Sequence, residues 1–141
     1  EAWTAGLEGY LLHDALAGLW TMVTAANQLV DREKPWILAK AAAGGDAAAA
    51  ARLRGVLGDL VEACRVVALA AAPFMPRTAP RVLGQLGYAY PYGPDGNGGP
   101  PLADELAWAA HAGAAGRVGP AEPLFPRLEA DATLDAAAPP A

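Results

Sequence analysis

The sequence contains no serine and a single cysteine, Cys64. The first absence excludes a serine nucleophile; the second excludes an internal disulfide. Only two histidines occur, His13 and His111, and neither stands with carboxylates or the cysteine at zinc-ligand spacing. Lysine is nearly as scarce. Two lysines stand beside eight arginines, and the formal net charge is −5. A protein that grips nucleic acid mainly through phosphates needs a basic surface, so that class is excluded and DNA is not an expected partner. An RNA reader that stacks on and hydrogen-bonds to unpaired bases is not excluded. No apolar run approaches the roughly 18 residues of a membrane span; the run that begins at Val66 is broken at Pro73. The glycines between Gly93 and Gly99 lack the preceding strand and following helix of a phosphate-binding loop.

What is present is alanine, about a quarter of the 141 residues. Alanine favours helix and buries little area, which points to closely packed helices. With the arginine excess it reads as a coding bias toward GC-rich codons. The length suits one domain with a modest core. Cys64, in an apolar helical run, is expected to be a small core residue, and His13, beside Asp14 at a helix start, a surface one.

Helical periodicity is continuous. Leu12, Leu16, Leu19, Val23, Ala26 and Val30 recur at intervals of three and four, one face of a helix over about 11–33. Pro35 ends it at or before Lys34 and can open a short helix over 35–43, which Gly44-Gly45 stops. Asp46 is a candidate N-cap for a helix over 46–72 with Leu53, Val56, Leu57, Leu60, Val61, Cys64, Val67 and Ala68 as its apolar stripe. Arg52, Arg54, Asp59, Glu62 and Arg65 fall mostly on the opposite face. A corner at Pro73–Pro76 leads to a helix over 76–87 with Ala79, Val82, Leu83 and Leu86 inward. Tyr88 to Pro101 reads as a loop, Leu102 to Ala110 as one more short helix around Trp108, and the remainder as an extended strap. Leu124, Phe125 and Leu128 of that strap must find a surface or stay loose. The expected fold is an all-α antiparallel helical bundle with an extended C-terminal strap. Glu1 to Leu7 reads as the end of a helix already under way, so the chain is expected to be part of a longer protein.

The stretch from Ala26 to Lys40 carries the most information. Trp36 directly follows Pro35 at the tip of a helix pair. Its ring either clamps two helices from within the core or stands outside as a platform for an unstacked base. Asn27 is a poor mid-helix residue, so its side chain is expected to have a hydrogen-bonding task, in the turn or on a base edge.

Asn27 and Val30, with Lys34-Pro35-Trp36 and Leu38-Ala39-Lys40, resemble the N-x-x-V…P-W-x-L-A-K signature of methionyl-tRNA synthetases. The segment Leu69 to Ala79, with Pro73-Phe74-Met75-Pro76 and Thr78-Ala79, is similar to that family's L-x-P-F-M-P-x-T-A corner, which leucyl, valyl and isoleucyl enzymes share in part. Trp108, the glycines after it, and Pro123-Leu124-Phe125-Pro126-Arg127-Leu128-Glu129 resemble the family's closing motif. The resemblance runs from Leu11 to Glu129. It implies a class I anticodon-binding helical domain over residues 1–129, N-terminally truncated, with 130–141 as a disordered tail. It implies tRNA(Met) as partner through its CAU anticodon, and a cytoplasmic location. It also implies a catalytic domain earlier in the same chain that uses ATP with magnesium. The nucleotide-binding signatures of that domain are not in this sequence, so these residues are expected to hold no cofactor and to be inactive alone. By match, Trp36 stacks on an anticodon base, with Pro35, Asn27 and Lys34 as further site residues and Lys40 a weaker one; for each lysine a solvated surface role is the alternative. The family's other anticodon-reading side chains, an asparagine and an arginine, lie on a helix before Glu1. Two other readings stand beside this one: an anticodon-binding domain of the leucyl, valyl or isoleucyl type, and a structural or protein-binding helical module.

Overall fold

A computed structural model describes residues 2–93, 98–111 and 117–126. Six helices follow in order: α1 (Ala2–Glu8), α2 (Leu12–Glu33), α3 (Pro35–Ala43), α4 (Ala47–Ala71), α5 (Thr78–Leu86) and α6 (Leu102–Glu105). The described residues contain no strand. The all-α bundle read from the periodicity is the fold observed, and the four long helical spans lie within two residues of the expected ends.

α4 is the central rod. α2, α3 and α5 each pack against it, and α1 packs on α2. α2 and α4 run antiparallel: Leu19, early in α2, clusters with Ala70 and Ala71 late in α4, while Glu33 at the end of α2 meets Arg52 near the start of α4. α1 is seated by Trp3, whose indole Nε1 donates to the Ala70 carbonyl at 3.1 Å. Gly6 allows that seat, because a Cβ there would stand 2.6 Å from the Ala15 backbone nitrogen. Asp46 caps α4 as expected, its Oδ1 accepting from the Ala49 N–H at 2.9 Å, and Gly87 closes α5 at φ 83°.

The face of α4 turned to the core differs from the expected stripe. Its buried residues are Ala49, Val56, Glu62, Ala63, Arg65, Val66 and Ala68 to Ala71. Leu57 is 46% exposed, Leu53, Leu60 and Val61 are half-buried, and Cys64, expected inside, is exposed. Two physical causes rotate the helix. Alanines allow close helix approach on the face the larger residues do not occupy. Glu62 and Arg65, one turn apart, neutralise each other and so can be enclosed.

That enclosed pair fastens the segment after α6. Arg65 is 1% exposed. It donates to both Glu62 carboxylate oxygens, at 2.9 and 2.7 Å, and to the backbone carbonyls of Glu105 and Ala107 at 2.6 and 3.0 Å. Glu62 accepts in turn from the Ala109 N–H at 2.8 Å. The guanidinium of Arg65 is the main reason the Glu62 carboxyl lies below its usual range. Consequently α6 is shorter than the expected 102–110 helix. The carbonyl of its last residue, Glu105, and that of Ala107 beyond it accept from Arg65, and Ala109 turns to φ 60°.

The stretch Tyr88 to Tyr92, expected as loose loop, is packed. Tyr88, Tyr90 and Tyr92 lie against Leu69 and Leu83. Gly99, at φ 84°, closes over them where any Cβ would run into the Pro91 carbonyl. The described part of the strap is held on α5 through its backbone. Arg81 donates to the carbonyls of Leu124 and Pro123 at 3.0 and 3.1 Å, and Gln85 to that of Glu122 at 2.9 Å. Leu124 is half-buried, while Phe125 is 70% exposed. Arg127, Leu128, Glu129 and the expected disordered tail, 130–141, lie outside the described residues.

Candidate nucleic-acid interface

The corner between α2 and α3 is built by two residues. Lys34 takes the left-handed conformation (φ 45°, ψ 63°), ends α2 by donating its N–H to the Val30 carbonyl at 2.9 Å, and begins α3. Pro35 follows at the first position of α3, where its missing N–H leaves nothing unsatisfied. Proline normally drives the preceding residue to extended geometry. A lysine held left-handed instead costs about 1–2 kcal/mol, and strain of this kind concentrates where a side chain must be aimed.

The corner lifts Trp36 out of the bundle. Its ring is 58% exposed, and Ile37 beside it is 54% exposed. Of the two readings left open for this tryptophan, the outward one is the geometry found. Lys34 and Lys40 are exposed. Lys40 stands four residues after Trp36 in α3, which puts both on one helix face. Pro35 is half-buried.

A brace fixes this corner to α4. Glu33 receives Arg52 on both carboxylate oxygens, at 2.9 and 2.6 Å, and Arg32 Nε at 3.3 Å. The Arg52 hydrogen bonds are the main cause holding the Glu33 carboxyl below its usual range. Both carboxylate oxygens of Glu33 are taken up by arginines, while Arg32 and Arg52 remain 67% and 59% exposed as side chains. Neither arginine was singled out from the sequence. The only signal available was a charged cluster next to a proline, which alone does not separate a brace from solvated surface.

Asn27 is not gathered into this cluster by any bond. It is exposed on α2, seven residues or about 10 Å of helix before Lys34, and its side chain makes no hydrogen bond among the described residues. The turn-tying role therefore has no partner there, and its amide faces outward. A second tryptophan, Trp20, shares that flank of α2, since positions seven residues apart align on a helix; it is 63% exposed. His13 is on the surface as expected, 80% exposed and paired with Asp14 at 3.0 Å. Among the described residues no helix is long and apolar enough to cross a membrane.

The corner offers the exposed indole of Trp36 with Lys34 and Lys40 exposed beside it in sequence, and the flank of α2 adds the exposed Trp20 and the outward amide of Asn27. Such a surface is suited to holding an unpaired base. Comparison with known proteins found relatives along most of the chain. The chain is 34% identical over 123 residues to a methionine–tRNA ligase of Streptococcus pyogenes, a match covering 86% of this chain and 16% of that protein. It is 31% identical over 137 residues to the methionine–tRNA ligase of Bacillus subtilis, covering 93% of this chain and 18% of the relative, and 40% identical over 73 residues to that of Clostridium acetobutylicum. The chain thus spans less than a fifth of the length of the first two relatives. No protein-family model and no solved structure matches it. Similarity over most of its length places the chain in the methionine–tRNA ligase family, as the counterpart of one segment of those longer proteins.

Proposed function

We propose that this chain is the anticodon-binding domain of a methionine–tRNA ligase, and that Trp36 is its stacking platform for a base of the CAU anticodon of tRNA(Met). The observation that carries the reading is the 58% exposed ring of Trp36 on a corner braced by Lys34, Pro35 and the Glu33–Arg52 pair. The exposed indole, with exposed Ile37 beside it, forms an apolar surface open to an external partner. Stacking suits the acidic chain, because the π-face of a base needs no basic field. Lys34 and Lys40 supply local charge for adjoining phosphates, and Asn27 an amide for a base edge or backbone. Residues 1–129 form the domain and 130–141 a tail. The ATP- and magnesium-dependent activation of methionine belongs in this proposal to a catalytic domain of the same cytoplasmic protein. The described residues do not form a phosphate-binding loop for those groups: Gly98 and Gly99 follow no strand, and Gly99 lies against Pro91 and Tyr92.

The test is Trp36→Ala in the complete enzyme. Loss of one stacked base is worth about 1–3 kcal/mol, so charging of a CAU-anticodon tRNA should fall roughly tenfold to a hundredfold at 1.4 kcal/mol per decade. Methionine-dependent pyrophosphate exchange should stay near the unaltered level. An equal fall in both reactions would refute the platform role.

A further inference from the structure

A recess lies between the C-terminal half of α2 and α4. Its volume is about 480 Å³, within the roughly 300–1,000 Å³ typical of small-ligand sites. Leu29 and Ala63 contribute to its floor, Gln28, Arg32 and Asp59 line its sides, and the indole of Trp108 stands at its edge. Trp108 is 55% exposed. Its place is set from a distance, by the grip of Arg65 and Glu62 on the backbone at 105, 107 and 109. The recess therefore has a firmly mounted aromatic ring, with Ala25, Ala26 and Ala63 in its lining beside Met22 and Leu29.

We infer that this recess takes an unstacked, amine-bearing nucleobase of the same bound RNA, lying on Trp108 and read along its edge by Asp59 and Gln28. The inference rests on the RNA-binding reading above. Four features support a base over other occupants. The alanines of the floor let a flat ring approach where longer side chains would hold it off. Asp59 only accepts hydrogen bonds when ionised and Gln28 both donates and accepts, so together they match an edge carrying an exocyclic amine and a ring acceptor, as in cytosine or adenine. Uracil has no such amine and offers Asp59 only its single ring N–H. Arg32 gives only its Nε to Glu33, so its outer nitrogens remain for a phosphate. Finally, the recess adjoins the corner: Gln28 precedes Lys34 by six residues, about 9 Å of helix, so one RNA loop can reach both tryptophans.

The experiment uses the complete protein and a hairpin RNA whose loop contains CAU, with affinity read by fluorescence anisotropy. Trp108→Ala should weaken binding about tenfold, and Trp108→Phe, which keeps a ring, less than threefold. Asp59→Asn should narrow the difference between this hairpin and variants with each loop cytosine or adenine changed to uracil. Thermal melting of every variant accompanies the titrations. If Trp108→Ala does not fold, Trp108→Phe and Asp59→Asn still decide: unchanged affinity and unchanged base preference in both overturns the inference. Should Trp36→Ala weaken binding while Trp108→Ala, folded, leaves it within twofold, the recess fails and the corner stands. The converse result supports the recess and removes the corner. Unchanged affinity in both, with both variants folded, overturns the corner and the recess alike. Lower melting temperatures for Trp108→Ala and Asp59→Asn at unchanged affinity would mean that a protein segment fills the recess, which also overturns the inference.

Discussion

The two ends of the bundle treat charge in opposite ways. Around the C-terminal half of α4, Arg65 and Glu62 are enclosed, and nearly all their hydrogen-bonding capacity is spent on each other and on the backbone at 105–109. At the α2–α3 corner, a similar pair, Glu33 and Arg52, lies at the surface and leaves Trp36 and the lysines in water. The same chemistry thus serves as a bolt at one end and as a bracket at the other. The difference lies in burial. An enclosed ion pair is costly to break because the survivor is left charged and desolvated, whereas an exposed pair can be lost at small cost in stability. The bolted end sustains the fold, and the bracketed end is free to carry a partner.

The largest effect should come from the bolt. Arg65→Ala leaves Glu62 enclosed without its counter-charge and frees two carbonyls, a loss of about 3–5 kcal/mol that chemical denaturation would register as a large drop in midpoint. Arg52→Ala, the same truncation at the bracket, should cost under about 1 kcal/mol. Comparable losses from both would erase the distinction.

Acid sharpens the contrast. The folded-state carboxyl of Glu62 lies below its ordinary value of 4.5, so the unfolded chain takes up the proton first. Its contribution is complete above that value and is lost as pH falls through the lower, folded one. Stability measured from pH 6 down to pH 2 should therefore decline on acidification, and Glu62→Gln, though less stable at neutral pH, should show a shallower decline. An identical acid slope in the variant would show that Glu62 is not the group responsible.

Smaller effects belong to the corner. Trp36→Ala should change the unfolding free energy by less than about 1 kcal/mol, in the ordinary range for surface substitutions; a loss of about 3–5 kcal/mol would be that of a buried aromatic. Lys34 offers the finest test. Glycine adopts its left-handed geometry freely, so Lys34→Gly should hold or slightly raise the melting temperature. Lys34→Val, with a β-branched side chain forced to positive φ, should lower stability by about 1–2 kcal/mol.

What the sequence determined by itself was the local order of the chain. Prolines 35, 73 and 76, glycines 44, 45 and 87, and the cap at Asp46 delimit α2 to α5, because those residues act through their own backbone within one turn. The corner that carries Pro35 and Trp36 was legible for the same reason, together with a run of residues that resembles a family signature. The direction of Trp36 was not, since a tryptophan behind a proline can face either way until its neighbours are placed. Tertiary structure also decided which face of α4 is inside. Hydrophobicity favoured Leu57 and Cys64, yet the packed bundle encloses alanines with Glu62 and Arg65, since helix approach rewards small side chains and a paired charge is no longer a charge to solvent. The same pairing cut α6 short and set Trp108 beside α2, a juxtaposition of residues more than 75 positions apart that no local pattern encodes.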